Sequence, residues 1–131
     1  MHPLLEPENE RADDLDGSDV LWRRLHAAWI VPSEDGEEKI SSAAFLDNTG
    51  GDLSVHIAAL TTTEQVKRAY PEMRIAAVEV QTFLDLGFTI VRDPQPDDES
   101  HALVKEPEGH RSRGTRKRDA QIIAKKAWFV N

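Results

Sequence analysis

The residues with the clearest chemical potential form a basic segment near the end of the sequence. Gly109 and Gly114 let backbone amides approach a ligand. The later arginines lie near the start of a predicted helix, where the helix dipole favours anions. No Lys-Ser or Lys-Thr pair follows the glycines, so this is not a Walker motif. We predict an anion-binding segment whose ligand residues are His110, Arg111, Arg113, Arg116, Lys117 and Arg118.

The charge distribution favours an acidic partner for this segment over nucleic acid. Residues 105–131 contain eight Lys or Arg and three acidic residues, a net +5, which leaves −13 for residues 1–104 of the total −8. An acidic body repels nucleic acid, whereas a local basic patch still attracts an anion. Aromatic residues, which stack on single-stranded bases, do not interrupt the segment. A second interpretation is a solvated basic helix paired with the chain's own acidic surface.

A second group of basic side chains lies early in the chain. Arg23, Arg24 and His26 follow Trp22, whose large apolar surface needs covering. These three side chains could point together into a pocket. The simpler interpretation is an arginine pair at the surface beside a buried tryptophan.

Histidines and acids also suggest a metal site. His56, Asp93, Asp97 and His101 combine imidazole and carboxylate groups, which suit zinc, manganese or iron. Neither H-E-x-x-H nor H-x-H spacing is present, so folding alone would have to bring the ligands together. We therefore favour no metal site and retain His56, Asp93 and His101 as the candidates.

A serine hydrolase is not predicted. Ser41, Ser42 and Ser54, with His56 and His101, supply the side chains for such a site. No serine lies in a G-x-S-x-G turn between a strand and a helix.

An early arginine (Arg23 or Arg24) followed by the serine-rich stretch 41–45, which ends in an aromatic residue, resembles the NAD-holding part of ADP-ribosyltransferases. In that family a glutamate usually closes the site. The resemblance implies catalytic roles for Arg24, Ser42 and Glu79, although the family's Ser-x-Ser pattern is absent.

Short runs of Val, Ile and Phe that end at Gly or Pro predict the strands that would carry these residues. The central ones cover residues 75–80, 88–91 and 101–104, with further strands at 40–46 and 53–57. On the last of these, Ser54 and His56 share one face. Asp35-Gly36 predicts a hairpin turn. Residues 20–31 suit either a helix or a strand, and residues 81–86 suit either a helical turn or a continued strand.

Two helices are predicted. Thr61 and Glu64 have capping-box spacing, so a short helix begins there and ends before Pro71. Apolar residues at helical spacing predict a closing helix over 115–130. The fold class is therefore α+β: a small mixed or antiparallel sheet, one short internal helix and a C-terminal helix packed on the sheet. The residues expected to be mainly buried are Trp22, Phe45, Val55, Ile75, Val78, Val80, Phe88, Ile90, Leu103, Ile123 and Trp128.

Composition predicts one domain over residues 20–131, after a mobile acidic arm over residues 1–19. Such an arm is either a solubilising leader or a polyanion mimic that occupies a basic surface. The sequence has no cysteine, no apolar run of membrane-spanning length and no signal-peptide pattern, so we expect a cytoplasmic protein.

These observations predict a small binding or accessory protein whose basic segment contacts an anionic ligand or an acidic partner. The alternative is an enzyme with an ADP-ribosyltransferase-like or metal-assisted hydrolase site. A third possibility is a subunit whose tryptophans form an oligomer interface. No cofactor is assigned.

Overall fold

The computed structural model describes residues 15–46, 52–107 and 111–130. The described residues form eight β-strands and three α-helices, with short 3-10 turns at Ala27–Trp29, Ser42–Phe45 and Ala58–Leu60. In chain order the strands and helices are β1 Val20–Leu25, β2 Ile30–Pro32, β3 Glu38–Ile40, β4 Leu53–Ile57, α1 Thr63–Lys67, β5 Arg74–Glu79, α2 Val80–Asp85, β6 Thr89–Arg92, β7 His101–Lys105, α3 Arg113–Lys126 and β8 Trp128–Val130.

Six strands form one antiparallel sheet in the order β6-β7-β4-β1-β5-β8, and β2 and β3 form a separate hairpin. The strand order places β7, β4, β1 and β5 in the interior of the sheet. The predicted α+β class with an antiparallel sheet and a C-terminal helix is confirmed, with two short internal helices in place of one. None of the described helices is both long and apolar enough to cross a membrane.

The hydrophobic core lies on one face of the sheet. Leu21, Val55 and Val78 lie on this face, and Ala120 and Ile123 of α3 join the same cluster of buried residues. The predicted core residues on this side are buried, as are Ile75, Val80 and Phe88.

One predicted core residue is wrong: Trp128 is exposed on β8, an edge strand of the sheet. Trp22 pairs with Ala77, and Ala77 pairs with Trp128, so the two tryptophans lie on the same face of the sheet. Trp128 is 44% exposed. Trp22 and Leu103 are only partly buried.

Local hydrogen bonds explain where predicted elements differ from the structure. The strand predicted over 40–46 ends at Ile40, because the Ser41 hydroxyl accepts a hydrogen bond from the Ala43 amide and starts a 3-10 turn. The cap of α1 is Thr62, whose hydroxyl accepts from the Gln65 amide, one residue after the predicted pair.

The ambiguous and terminal segments also resolve. Residues 20–25 are a strand, and α2 makes residues 81–85 helical, with Leu86 as its cap before Gly87 at φ 88°. The closing helix α3 begins at Arg113 and ends at Lys126, earlier than predicted. The chain then forms β8, which pairs along Ile75–Ala77 of β5.

Residues 15–19 are attached to the domain. Leu15 packs against the core, and the carbonyls of Gly17 and Asp19 accept hydrogen bonds from the amides of Gln81 and Val80. These contacts belong to residues that the sequence analysis assigned to the acidic arm. The rest of that prediction, residues 1–14, lies outside the described residues.

Candidate functional site

The first cavity lies where β1 and β4 separate. These strands pair only at Leu21 with Ile57 and Trp22 with His56. Beyond that point Arg23 bridges the gap: its Nε donates to the Ala44 carbonyl at 2.6 Å and its Nη1 to the Ser54 carbonyl at 2.9 Å. The Arg23 side chain thus makes the hydrogen bond that the Ser54 carbonyl would otherwise make with a neighbouring strand. We call this cavity the split cleft.

The split cleft has a volume of about 250 Å³ and a basic, aromatic lining. Nη1 of Arg24 donates to the Val66 carbonyl at 3.2 Å, and its guanidinium lies 4.8 Å from the centre of the Tyr70 ring. The described residues that line the cleft include two arginines and no acidic residue. The lining consists of Arg23, Arg24, His26, Trp29, Ser54, His56, Tyr70 and Met73. Arg23, Arg24 and His26 all line this cleft, in line with the first of the two interpretations drawn from the sequence and not with the simpler one.

His56 is held in this cleft by a carboxylate that the sequence analysis did not select. Its Nδ1 lies 3.0 Å from Oδ2 of Asp98 and 3.1 Å from the Ser100 hydroxyl. The Ser100 amide donates to Oδ1 of Asp98 at 3.0 Å, and its hydroxyl donates to the same oxygen. The Ser100 proton is committed to Asp98, so Nδ1 of neutral His56 carries the hydrogen that meets Oδ2. This tautomer leaves Nε2 of His56 as a hydrogen-bond acceptor.

Burial and charge keep this pair in its neutral-histidine, ionised-aspartate form. Burial lowers the pKa of His56, and the charges of Arg24 and His101 add to that effect against the opposing pull of Asp98. Burial on its own would raise the pKa of Asp98, but the two hydrogen bonds from Ser100 and the nearby histidines outweigh it, so that pKa is lowered. At neutral pH the His56 ring is therefore uncharged.

The metal candidates are neighbours, but Nδ1 of each histidine already meets a carboxylate. His56 and His101 are directly paired across β4 and β7, with ring centroids 5.7 Å apart. Nδ1 of His101 lies 2.9 Å from Oδ2 of Asp93, and Asp97 is exposed. Across the described residues, no group of three or more histidines and acids is arranged to hold a metal ion. The structure therefore places the metal candidates in two neighbouring histidine–carboxylate pairs, His56 with Asp98 and His101 with Asp93.

The residues implied by the ADP-ribosyltransferase resemblance do not share a cavity. Arg24 lines the split cleft, whereas Ser42 lines a different one. Arg24 pairs with Ile75 and Glu79 pairs with Val20, four residues further along the strand. That separation is roughly 13 Å at the rise of a β-strand.

Two residues of the predicted anion-binding segment form internal ion pairs. Arg111 pairs with the buried Asp119, and Nε of Arg116 lies 2.8 Å from Oε1 of Glu106. The guanidinium of Arg111 also lies 5.5 Å from the centre of the Phe88 ring. These two arginines therefore stabilise the loop before α3. His110 lies outside the described residues.

The other basic residues of this segment, Arg113, Lys117 and Arg118, are exposed, and Arg118 lines a second, wider cavity. This cavity of about 790 Å³ lies between α3 and β8 on one side and the β2–β3 hairpin on the other. We call it the basic groove. Its cationic residues are Arg118, Lys125 and Lys39, and its apolar ones include Ile122 and Trp128.

Among the described residues that line the basic groove, Glu38 is the acidic one. It accepts a hydrogen bond from Nη1 of Arg74, a residue that does not line the groove. The Arg74 guanidinium in turn lies 3.9 Å from the centre of the Phe129 ring. Because Glu38 is paired with Arg74, it does not neutralise the three cations of the groove.

The chain was compared with family models, curated proteins and solved structures, and no match was found. Sequence reasoning missed Asp98, Ser100 and Tyr70. The spacing Asp-x-Ser was a usable signal, because an aspartate commonly accepts hydrogen bonds from the residue two positions later. Tyr70 had no local signal, since only folding brings α1 and the following turn against β1.

Proposed function

We propose that this protein is a non-enzymatic binding protein that holds an acidic peptide segment of a partner in the basic groove. The proposal depends on one observation: three exposed cationic side chains and an exposed tryptophan line the same cavity, whose volume of about 790 Å³ can hold a short peptide segment. Acidic side chains would meet the cations, and an apolar side chain would cover Trp128, which is 44% exposed.

The spacing of the cations indicates the pattern of the partner segment. Arg118 and Lys125 are seven residues apart on α3, so they lie on one side of the helix, roughly 10 Å apart. In a polyproline-type extended peptide, residues three apart share one side and are separated by about 9 Å. The groove therefore suits an acidic residue, two intervening residues and a second acidic residue, with an apolar side chain between them.

The exposed Arg113 and Lys117 extend this basic surface toward the beginning of α3. They belong to the segment predicted from sequence to contact an anion. In this proposal they act at longer range, by attracting the acidic partner before it enters the groove. Arg111 and Arg116 are given no binding role, because each is already paired within the protein.

An enzymatic function is not favoured. The three residues implied by the transferase resemblance do not line one cavity, and Ser100 donates its hydroxyl proton to Asp98 instead of a histidine. Neither arrangement supplies an activated nucleophile.

The experiment compares a synthetic peptide carrying the acid-x-x-acid pattern around one leucine with its amide version, in which both acids become Asn or Gln. Binding is measured by calorimetry at low and moderate salt. We expect the acidic peptide to bind and its affinity to fall with salt, because the attraction is screened. Replacing both Arg118 and Lys125 with Gln should weaken binding about tenfold, given the usual worth of exposed ion pairs.

The matched control is Lys126→Gln, which removes an exposed lysine of α3 that does not line the groove. Its affinity should stay within about twofold of the wild type, as a rim charge at a distance contributes little. Equal binding of the acidic and amide peptides, or equal loss in Lys126→Gln and in the double variant, would contradict the proposal.

A further inference from the structure

We propose that the split cleft binds the phosphate group of a small phosphorylated compound, with Arg24, Ser54 and His56 as the contacting side chains. This site is separate from the basic groove, since Arg118 and Lys125 do not line it. The two proposals can therefore fail independently.

Arg24 supplies the fixed positive charge. Its guanidinium is oriented by the Val66 carbonyl, which accepts from Nη1 at 3.2 Å, and by the face of Tyr70 at 4.8 Å. Among the described residues its remaining N–H groups have no hydrogen-bond partner. A guanidinium held in one orientation with unused donors is suited to an oxyanion, because little side-chain freedom is lost on binding.

The β4 side of the cleft adds one hydroxyl donor and one imidazole nitrogen from another direction. Ser54 is exposed and lies two residues from His56 on the same face of the strand. Asp98 fixes the His56 ring through Nδ1. With Nδ1 engaged, Nε2 of His56 can accept the proton of a phosphate monoanion, or donate to the dianion after taking up a proton beside Asp98.

The arrangement favours phosphate over carboxylate. Arg24 lies on β1, whereas Ser54 and His56 lie on β4, so the groups approach the cleft from two strands that have separated. A phosphate monoester presents three terminal oxygens in different directions and carries a charge of about −1.5 to −2 at pH 7. A carboxylate presents two oxygens in one plane and one charge, which Arg24 alone would satisfy.

The size and the aromatic residues define the rest of the ligand. A cavity of about 250 Å³ is smaller than typical sites for drug-sized molecules. Trp29 and Tyr70 line it, so an organic group in the cleft would lie beside aromatic side chains. The ligand class is therefore a phosphate monoester of a small ring compound.

The test uses phenyl phosphate as the probe, with benzoate as the matched carboxylate and sodium chloride as the ionic-strength control. Binding to the full chain is followed by NMR, through the ring nitrogens of His56 and Nε of Arg24, and by calorimetry. We expect phenyl phosphate to shift these signals at concentrations below about 10 mM and benzoate to bind at least about tenfold more weakly.

Two variants locate the site. Ser54→Trp fills the cleft from an exposed strand position that tolerates aromatic residues, so the fold should be kept. Arg24→Gln removes the fixed charge. Both should weaken phenyl phosphate binding by at least about tenfold, the loss expected for a charge-assisted hydrogen bond. Lys126→Gln should leave it unchanged.

Three results would overturn the proposal. One is the absence of any shift of the His56 and Arg24 signals up to about 10 mM phenyl phosphate, because a site with a Kd above that concentration would bind too weakly to count as specific. Another is equal binding of benzoate, or the same response to sodium chloride. The third is unchanged binding in a Ser54→Trp variant whose melting temperature matches that of the wild type.

Discussion

The ion pair between Arg111 and Asp119 provides the sharpest test of how the loop before α3 is stabilised. Asp119 is 6% exposed, and the side chain of Arg111 is 12% exposed. Replacing Asp119 with Leu leaves the Arg111 charge in a poorly hydrated site. Breaking a buried pair in this way costs about 3–5 kcal/mol. We expect about 3 kcal/mol, the low end of that range, because Glu106 remains 3.8 Å from Arg111.

The assay is urea denaturation, analysed as a double-mutant cycle. Asp119→Leu alone should lower the free energy of unfolding by about 3 kcal/mol and the melting temperature by roughly 10 °C. Adding Arg111→Met should restore most of this loss, because methionine keeps an apolar contact with Phe88 and removes the unpaired charge. The reasoning is refuted if Asp119→Leu costs less than about 1 kcal/mol, the value expected of an exposed pair.

Two further predictions concern pH and backbone conformation. Burial lowers the pKa of His56 below its ordinary 6.5, so the unfolded chain takes up a proton first as the pH falls. The free energy of unfolding should therefore decrease as the pH falls from 6.5 to the pKa of His56 in the folded protein. In urea titrations, His56→Gln should reduce this dependence of the unfolding free energy on pH. An unchanged pH dependence in the variant would contradict the prediction. Gly87→Ala should destabilise the protein by about 1–2 kcal/mol, since φ is +88° and the new Cβ would lie 3.2 Å from Pro107. Gly36→Ala, at φ +85° with open space around it, should cost less in thermal melts, and an equal cost would show that Pro107 yields freely.

The sequence predicted the strands well where the signal was local. Runs such as residues 53–57 alternate apolar and polar residues, and this pattern directly reflects a half-buried strand. The end of α3 was mispredicted because Trp128 continues the helical spacing, while its structure depends on pairing with Ala77, fifty-one positions earlier in the chain. Such long-range pairing leaves no mark in a short window of sequence.

The candidate site was predictable in part. The positions of Arg23, Arg24 and His26 beside a tryptophan left open either a pocket or a surface pair, and these residues line a pocket. The ion pairs of Arg111 and Arg116 were not predictable, because only the geometry of the loop before α3 brings their acidic partners close to them. Counting charge along the segment could not separate arginines that stabilise the fold from those free to meet a partner.

The separation of β1 from β4 has a consequence for how the protein meets other molecules. β1 pairs with β5 along its whole length but with β4 at only two positions, so the gap lies inside the sheet. A gap at the rim of a sheet exposes backbone groups that can recruit a strand from another chain. Here β4 and β5 flank β1, and the Arg23 side chain occupies the Ser54 carbonyl. The opening between β1 and β4 is therefore enclosed by strands on both sides, and the Ser54 carbonyl is already bonded, so it differs from an unpaired sheet edge.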